Sequence, residues 1–374
     1  MRSRGRATLL HEEREAMMKI FSDKRYLPAG QGHFVMLYPF WGKNPEDPRD
    51  PSSGRFDRYA ETGSHFFQMT PLAEADVAVL PIAWEHALRN SEAMNLALQF
   101  VEETSKTGRQ VVIFFWSDSD EDVPVENAVI FRTSFYRSRK KSNEFAMPAW
   151  SEDFVTKYLN SRLPLRRKQD KPVVGFCGYA EPILKPSLHQ SVKHVLRGGA
   201  QFLGLRSRPK KHGVMIRARA LRALSKGPIV ETNFVIRDRF WGGAVSSGSE
   251  DLERMRRLRW EYVQNMVESD YILCCRGAGN FSYRLYETLC CGRIPVFIDT
   301  DCVLPYDFHI DWKKYCVWVD ESEIPLIAEK VAEFHNNLSP QDFVDLQHEC
   351  RKLWEQWLSP EGFFANFYRH FQGI

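Results

Sequence analysis

An α/β protein in two successive halves, each built on a parallel sheet, is the fold class the sequence predicts. Three observations predict it. Short apolar runs alternate with amphipathic helical stretches, the pattern of strands joined by crossover helices. The alternation is interrupted once, by the proline and charge of Leu163 to Lys171 (LPLRRKQDK), and then restarts. The 374 residues suffice for two domains of ordinary size, each with its own core.

Residues 1–30 read as an N-terminal helical extension ending at a Pro28/Gly30 break. The first domain is then expected over 31–165. It starts with a buried strand at His33 to Tyr38, followed by a Pro-, Asp- and Gly-rich loop from Pro39 to Gly54, in the position from which loops reach substrates. A strand at Asp76 to Leu80 closes on Pro81. A helix from Ser91 to Thr104, a strand from Val111 to Trp116, a short strand from Ala128 to Phe131 and a helix from Ser151 to Leu159 follow.

The second domain is expected over 172–374. It opens with a strand at Pro172 to Cys177 and a helix from Ser187 to Leu196. A basic helix follows at Val214 to Leu224, then a strand at Ile229 to Ile236 and a helix at Leu252 to Glu268. Beyond the stretch Asp270 to Phe308, described below, come a strand at Cys316 to Val319 and a helix at Ile324 to Phe334. A last long helix has Ser339 as N-cap and Pro340 at its first position. The aromatic set Phe363, Phe364, Phe367, Tyr368 and Phe371 reads as packing, not as a sugar platform. Two such halves place a ligand at the interface between them.

Hydrophobic residues at 43% and charged residues at 26% exclude disordered and fibrous classes. A net charge of +3 gives no reason to expect nucleic acid as a partner. Basic clusters at Arg137 and Arg139 to Lys141, Arg166 to Lys168, Arg206 to Lys211, and Arg254 to Arg259 read first as solvated faces. Attraction of anionic substrates, or peripheral contact with a membrane surface, is the alternative. The eight cysteines show no C-x-x-C spacing, and pairs such as Cys274/Cys275 sit in apolar segments, so buried thiols are expected. No apolar run reaches the roughly 18 residues of a membrane span, and the N-terminus lacks a signal-peptide core. A soluble, cytoplasmic chain is the expectation; nothing in the sequence sets an oligomeric state.

The chemistry is expected in Asp270 to Phe308. An apolar strand (Tyr271 to Cys275), a turn with Arg276, Gly277 and Gly279, a helix (Phe281 to Cys291) and a second strand (Ile294 to Ile298) form one βαβ unit, with the turn at the carboxyl edge of the sheet. Turn amides and the helix N-terminus can receive an anion there. Asn280 is expected to cap the helix, Ser282 lies in its first turn, and Arg284 adds a bidentate contact. Glu287, one turn further on, suits a ribose. The alternative is a plain crossover in which Arg284 and Glu287, three residues apart, pair with each other. The dinucleotide fingerprint G-x-G-x-x-G is absent, its third position being Ser282.

The continuous run from Met266 to about Val331 carries Arg276-Gly277, Ser282, Arg284-Leu285, Glu287, Gly292, Ile294-Pro295-Val296, Leu304-Pro305 and Asp311-Trp312 in order. It resembles the signature region of the exostosin-like (GT47-like) glycosyltransferases. Weaker echoes lie at Ala75-Asp76, Pro81, Phe176-Cys177-Gly178 and Ile216-Arg217. The resemblance implies GT-B architecture, two Rossmann-like domains facing across a cleft. It implies inverting transfer of a sugar from a nucleotide-diphosphate donor, UDP- or GDP-linked, to a hydroxyl of a glycan or lipid-linked acceptor, as in polysaccharide or glycoconjugate biosynthesis. The donor would lie against Arg276, Gly277, Gly279, Asn280, Ser282, Arg284 and Glu287, with Gly178 and Arg217 bordering the phosphates.

Inversion needs a base on the acceptor side. Glu85 and Asp118 are the candidates because both follow strand ends; His86 and Asp120 come next, and solvated loop residues are the alternative. Two Asp-x-Asp triplets, Asp118-Ser119-Asp120 and Asp299-Thr300-Asp301, have the ligand chemistry for Mg²⁺ or Mn²⁺. With arginines and a helix dipole available to the diphosphate, no metal and no cofactor is expected. A binding relative without turnover, and an oxidoreductase on Rossmann halves, remain the competing readings.

Overall fold

The computed structural model describes residues 17–180, 212–239 and 249–372. The expected helix at Ser187 to Leu196, the cluster Arg206 to Lys211 and the first sixteen residues of the expected extension lie outside them.

The protein is mixed α/β with two all-parallel sheets. The first holds six strands: β1 (Met18–Phe21), β2 (Phe67–Met69), β3 (Val77–Val79), β4 (Gln110–Phe115), β5 (Ala128–Arg132) and β6 (Glu144–Ala146), in the order β2-β1-β3-β4-β5-β6. The second holds five: β7 (Val173–Tyr179), β8 (Glu231–Arg237), β9 (Tyr271–Cys274), β10 (Ile294–Asp299) and β11 (Val317–Asp320), in the order β11-β10-β9-β7-β8. In both sheets the chain reverses its direction of travel after the second strand. That leaves a switch point, between β1 and β3 and between β7 and β9, where a crevice opens at the carboxyl ends of the strands.

The expectation differs from the structure at the N-terminus. Met18–Phe21, expected within a helical extension, is instead a strand inside the first sheet, with Ile20 fully buried and Asp76 Oδ2 accepting from the Lys19 amide at 2.7 Å. His33 to Tyr38 is not a strand. Val35–Leu37 forms one 3-10 turn and Tyr38–Trp41 a short helix with Pro39 near its start, where the missing amide costs nothing. Phe34 to Tyr38 are all buried, so the segment lacked the alternation that distinguishes a half-buried strand from a buried coil. Other predicted strands and helices in the described residues appear within a few residues of their expected ends. Ser339 caps Pro340–Leu353 in a reciprocal box with Asp342, the two bonds being 3.1 and 3.2 Å.

The aromatic C-terminal segment packs, as expected, but on the first sheet. Phe364 stacks on Tyr59 at 4.3 Å between centroids, and Phe367 lies 4.6 Å from Phe131 of β5. All eight cysteines are free and buried. Among the described residues no helix is long and apolar enough to cross a membrane.

Candidate active site

Two cavities of about 740 and 700 Å³ lie side by side. The first is lined by residues from the carboxyl ends of the first sheet and from the 31–56 loops, among them His33, Tyr38, Glu46, Glu85, His86, Arg89 and Trp116. The second is lined chiefly from the switch point of the second sheet: Cys177, Gly178 and Tyr179 at the end of β7, Cys275, Gly277 and Ala278 beyond β9, and Arg217, Arg259, Tyr262, Ser282, Arg284 and Glu287 from helices. Four residues, Arg55, Asp118, Phe281 and Tyr283, line both cavities. The cavities therefore adjoin at that quartet.

The glycine turn does not offer its amides to a ligand. The Gly277 amide donates to Phe281 O (3.0 Å), the Gly279 amide to Asp118 Oδ1 (3.1 Å) and the Asn280 amide to Ser134 Oγ (2.9 Å). Asn280 is not the helix cap: Ser282 precedes the Tyr283–Cys290 helix, and the Asn280 side chain bonds Phe135 O, Asp301 O and Thr300 Oγ1. Arg276 donates to Tyr136 Oη at 2.9 Å and to Ala278 O at 3.0 Å, buried at the junction of the halves. Arg276, Gly279 and Asn280 therefore clamp the turn to the first half. Gly279 is required there, because a Cβ would come within 2.8 Å of the Asp118 Cα and carboxylate.

Two cations, not the turn amides, face the second cavity. Arg284 Nη2 donates to Cys177 O at 2.8 Å and Arg217 Nη1 to Tyr179 O at 2.7 Å, so the two flank Gly178 at the end of β7. Both guanidinium groups lie over the Phe176 ring, at 4.4 Å for Arg284 and 5.7 Å for Arg217. Gly178 has φ +152, and a Cβ there would stand 3.0 Å from Arg284 Nη2, so the site requires glycine on both counts. Neither arginine forms an ion pair among the described residues, and the Nε of each is buried without a hydrogen-bond partner. Burial and the neighbouring Arg284 charge hold the Arg217 pKa below its usual value. Burial also acts to lower Arg284, but Tyr262, Cys274 and Glu287 outweigh it and keep the group firmly charged. Two like charges with unused donors in a crevice have the chemistry to receive an anion.

Arg284 and Glu287 do not pair with each other. Glu287 accepts a short bond from Tyr262 Oη and lies 3.3 Å from Arg259 Nη1. Arg259 in turn holds Glu152 of the first half through Nε and Nη2, each at 2.8 Å. Ser282 makes no capping bond and lines the second cavity beside Arg284. The Asp-x-Asp carboxylates have protein partners: Arg139 for Asp120, Arg137 for Asp299 (2.9 Å) and Ser138 for Asp301 (2.6 Å). Among the described residues no cluster of three or more His, Cys, Asp or Glu has metal-site geometry.

The two candidate bases separate. Asp118 is exposed at the junction, one oxygen held by the Gly279 amide. Glu85 lies in the first cavity only, its Oε2 accepting from the Trp116 amide at 3.0 Å; burial pushes its pKa up to about 7 against the pull of that bond. His86 contacts Gln31 at 2.9 Å in the same cavity. Because the folded state favours protonated Glu85, its contribution to stability is full below pH about 4.5 and is lost as pH rises to about 7. Glu85→Gln, which keeps an acceptor for Trp116, is therefore expected to raise Tm at pH 8 and to leave it nearly unchanged at pH 4.5; equal shifts at both would remove the buried ionisation as the cause.

Residues 218–334, which contain the turn, Arg284 and Glu287, match the exostosin GT47 domain. That stretch is exostosin-like. Similar stretches occur in exostosin-1 of Drosophila melanogaster (29% identity over 99 residues, 26% of this chain and 12% of that protein) and the exostosin-1 homolog of Caenorhabditis elegans (30% over 100 residues, 27% and 25%). A third is in probable glucuronosyltransferase 47 A of Physcomitrium patens, with 38% identity over 66 residues, 18% of this chain and 15% of that protein. Each match spans a quarter or less of the relative's own length.

The matched stretch supplies the lining of the second cavity from Arg237 to Glu287, whereas Ser52, Arg55, Asp118, Trp150, Ser151, Cys177, Gly178, Tyr179 and Arg217 lie outside it. Arg55, Glu152, Tyr262 and Tyr283 were not singled out from sequence. Tyr262 and Arg259 lie three apart on an amphipathic helix, a spacing that puts both on one face, and that was the one signal available.

Proposed function

We propose that this chain is an inverting glycosyltransferase of GT-B architecture that moves a sugar from a nucleotide-diphosphate donor to a hydroxyl of a glycan or lipid-linked acceptor. The observation that carries the reading is the Arg217/Arg284 pair, two uncommitted cations over one phenylalanine ring at the switch point of an exostosin-like sheet. They suit a diphosphate. Glu287, fixed by Arg259 and Tyr262, suits the ribose hydroxyls, and Ser282 the phosphates. The first cavity, with its hydrogen-bonding and aromatic lining, suits the acceptor. Two parallel sheets with adjoining cavities at their strand ends are consistent with halves facing across a cleft.

Asp118 is the base in this reading because it alone among the candidate carboxylates lines both cavities. It takes the acceptor proton while the acceptor oxygen attacks the anomeric carbon from the face opposite the diphosphate. Arginines supply the charge that a metal would otherwise supply, so the transfer is metal-independent.

The test is calorimetry with UDP and GDP, and transfer assays with a panel of sugar nucleotides, with and without EDTA. Arg284→Ala and Arg217→Ala should each weaken nucleotide binding by one to two decades, about 1.5 to 3 kcal/mol for a charge-assisted contact. Unchanged binding in both variants overturns the donor site. Loss of turnover in EDTA overturns metal independence, and binding without transfer from any donor makes the chain a nucleotide-binding relative.

A further inference from the structure

Five arginines line the second cavity: Arg55, Arg217, Arg237, Arg259 and Arg284. Two of them are committed to carboxylates. Arg237 Nη2 lies 2.6 Å from Glu261, and Arg259 is held between Glu152 and Glu287. Arg217 and Arg284 match the two phosphates of a nucleoside diphosphate in its resting charge state. Arg55 is left over. It comes from the opposite half, and among the described residues it forms no ion pair and is the only arginine that lines both cavities.

The loop before it is built to hold it. Glu46 Oε2 accepts from the Gly54 amide at 2.9 Å and from Ser53 Oγ at 3.3 Å, while Lys43 bridges Glu46 and Asp57. Lys157 Nζ donates to Ser53 O at 3.0 Å. The guanidinium is then laid against the Phe56 and Trp116 rings, 5.1 Å from each, with Nη1 3.4 Å from Trp150 O. Methionine or leucine would pack on those rings as well. A cation fixed in this way, on the lining shared by both cavities and without an ion pair among the described residues, is placed for a negative charge that arises at the junction.

We propose that Arg55 is a catalytic residue, donating to the phosphate oxygen that the transferred sugar leaves. This rests on the glycosyl-transfer reading above. In that step a bond forms between the acceptor oxygen and the anomeric carbon, and the acceptor proton passes to Asp118. The bond from the anomeric carbon to the terminal phosphate oxygen breaks, and both electrons stay on that oxygen. The diphosphate gains one unit of negative charge at the point where the donor cavity meets the acceptor cavity. Arg217 and Arg284 hold the charge present before reaction, and Arg55 meets the charge that appears during it. Its contact strengthens as the bond breaks, so it acts on the rate more than on binding.

The test uses the full chain, with whichever sugar nucleotide of the panel it turns over. Arg55→Ala should lower kcat roughly 10²-fold, as removal of one oxyanion donor does, with donor KM within about threefold; UDP or GDP, which already carries the released charge, should bind more weakly. Arg55→Lys, which keeps a charge without the fork, should fall between. Guanidinium ion at tens of millimolar, below denaturing concentration, should restore part of the Arg55→Ala rate and none of the Arg284→Ala binding loss. Arg55→Ala that keeps kcat within threefold overturns the proposal. So does a rise in donor KM as large as the loss of kcat, or a lost rate that guanidinium does not restore. Failure of wild-type transfer overturns the functional reading and this inference together; wild-type transfer with an unaffected Arg55→Ala overturns this inference alone.

Discussion

Arg259→Met is expected to destabilise the protein by about 3 to 5 kcal/mol, the cost of removing one partner from a buried ion pair. Arg259 is 6% exposed and lies between two carboxylates from different halves, Glu152 at 2% and Glu287 at 6%. Burial opposes its charge, but Glu287 and Glu152 together raise its pKa well above the ordinary arginine value. Its guanidinium also lies 4.5 Å over the Phe154 ring, so methionine recovers part of the packing and none of the charge. Without it two carboxylates face each other in low dielectric with only Tyr158 and Tyr262 as donors. The deficit should shrink as pH falls, because the orphaned carboxylates then protonate. Glu152→Gln added to Arg259→Met should recover a measurable fraction, since the pair is coupled and not additive. Urea unfolding at pH 8 and pH 5.5 measures both effects. A loss under 1 kcal/mol at pH 8 would show that the triad is open to solvent.

That network also marks the limit of what the sequence discloses. The strands and helices of the second half are legible because each is a local pattern: an apolar run closed by Gly178, an amphipathic face on Ser249–Val267, a cap and proline at Ser339-Pro340. The strand at Met18–Phe21 is only four residues long and sits in charged surroundings, so tertiary pairing with β2 and β3, not pattern, creates it. Which of the candidate site residues share a cavity was partly legible. Arg217, Arg284, Ser282 and Glu287 converge on one cavity with Gly178 and Gly277, whereas Arg276, Gly279 and Asn280 are spent on the contact with the first half. The reason is long range. Asp118 and Gly279 are 161 residues apart, and nothing in either neighbourhood announces that one carboxylate takes the other's amide. A glycine turn before a helix specifies that its amides point outward; which partner reaches them is decided by how the halves meet.

The same contact decides between the two carboxylates offered as base. Asp118→Asn should lower kcat by roughly 10² to 10⁴-fold, the usual worth of a positioned general base, while keeping the Gly279 bond through its amide oxygen and hence the fold of the junction. Glu85 lines only the first cavity, so in the proposed reaction it would accept a hydrogen bond from the acceptor when ionised. Burial has raised its pKa to about 7. Acceptor kcat/KM should therefore rise with pH through about 7 in the wild type, and that limb should be absent in Glu85→Gln, whose kcat stays within about tenfold. The opposite pattern, a silent Asp118→Asn and a Glu85→Gln reduced by the full factor, assigns proton abstraction to Glu85. In that case the bond would break within the first cavity, and we expect the contact between Trp116 Nε1 and Tyr283 Oη, 3.1 Å across the junction, to open before each turnover. Trp116→Phe, which removes that contact and keeps the ring, separates the cases: it accelerates a Glu85-dependent reaction and leaves an Asp118-dependent one unchanged.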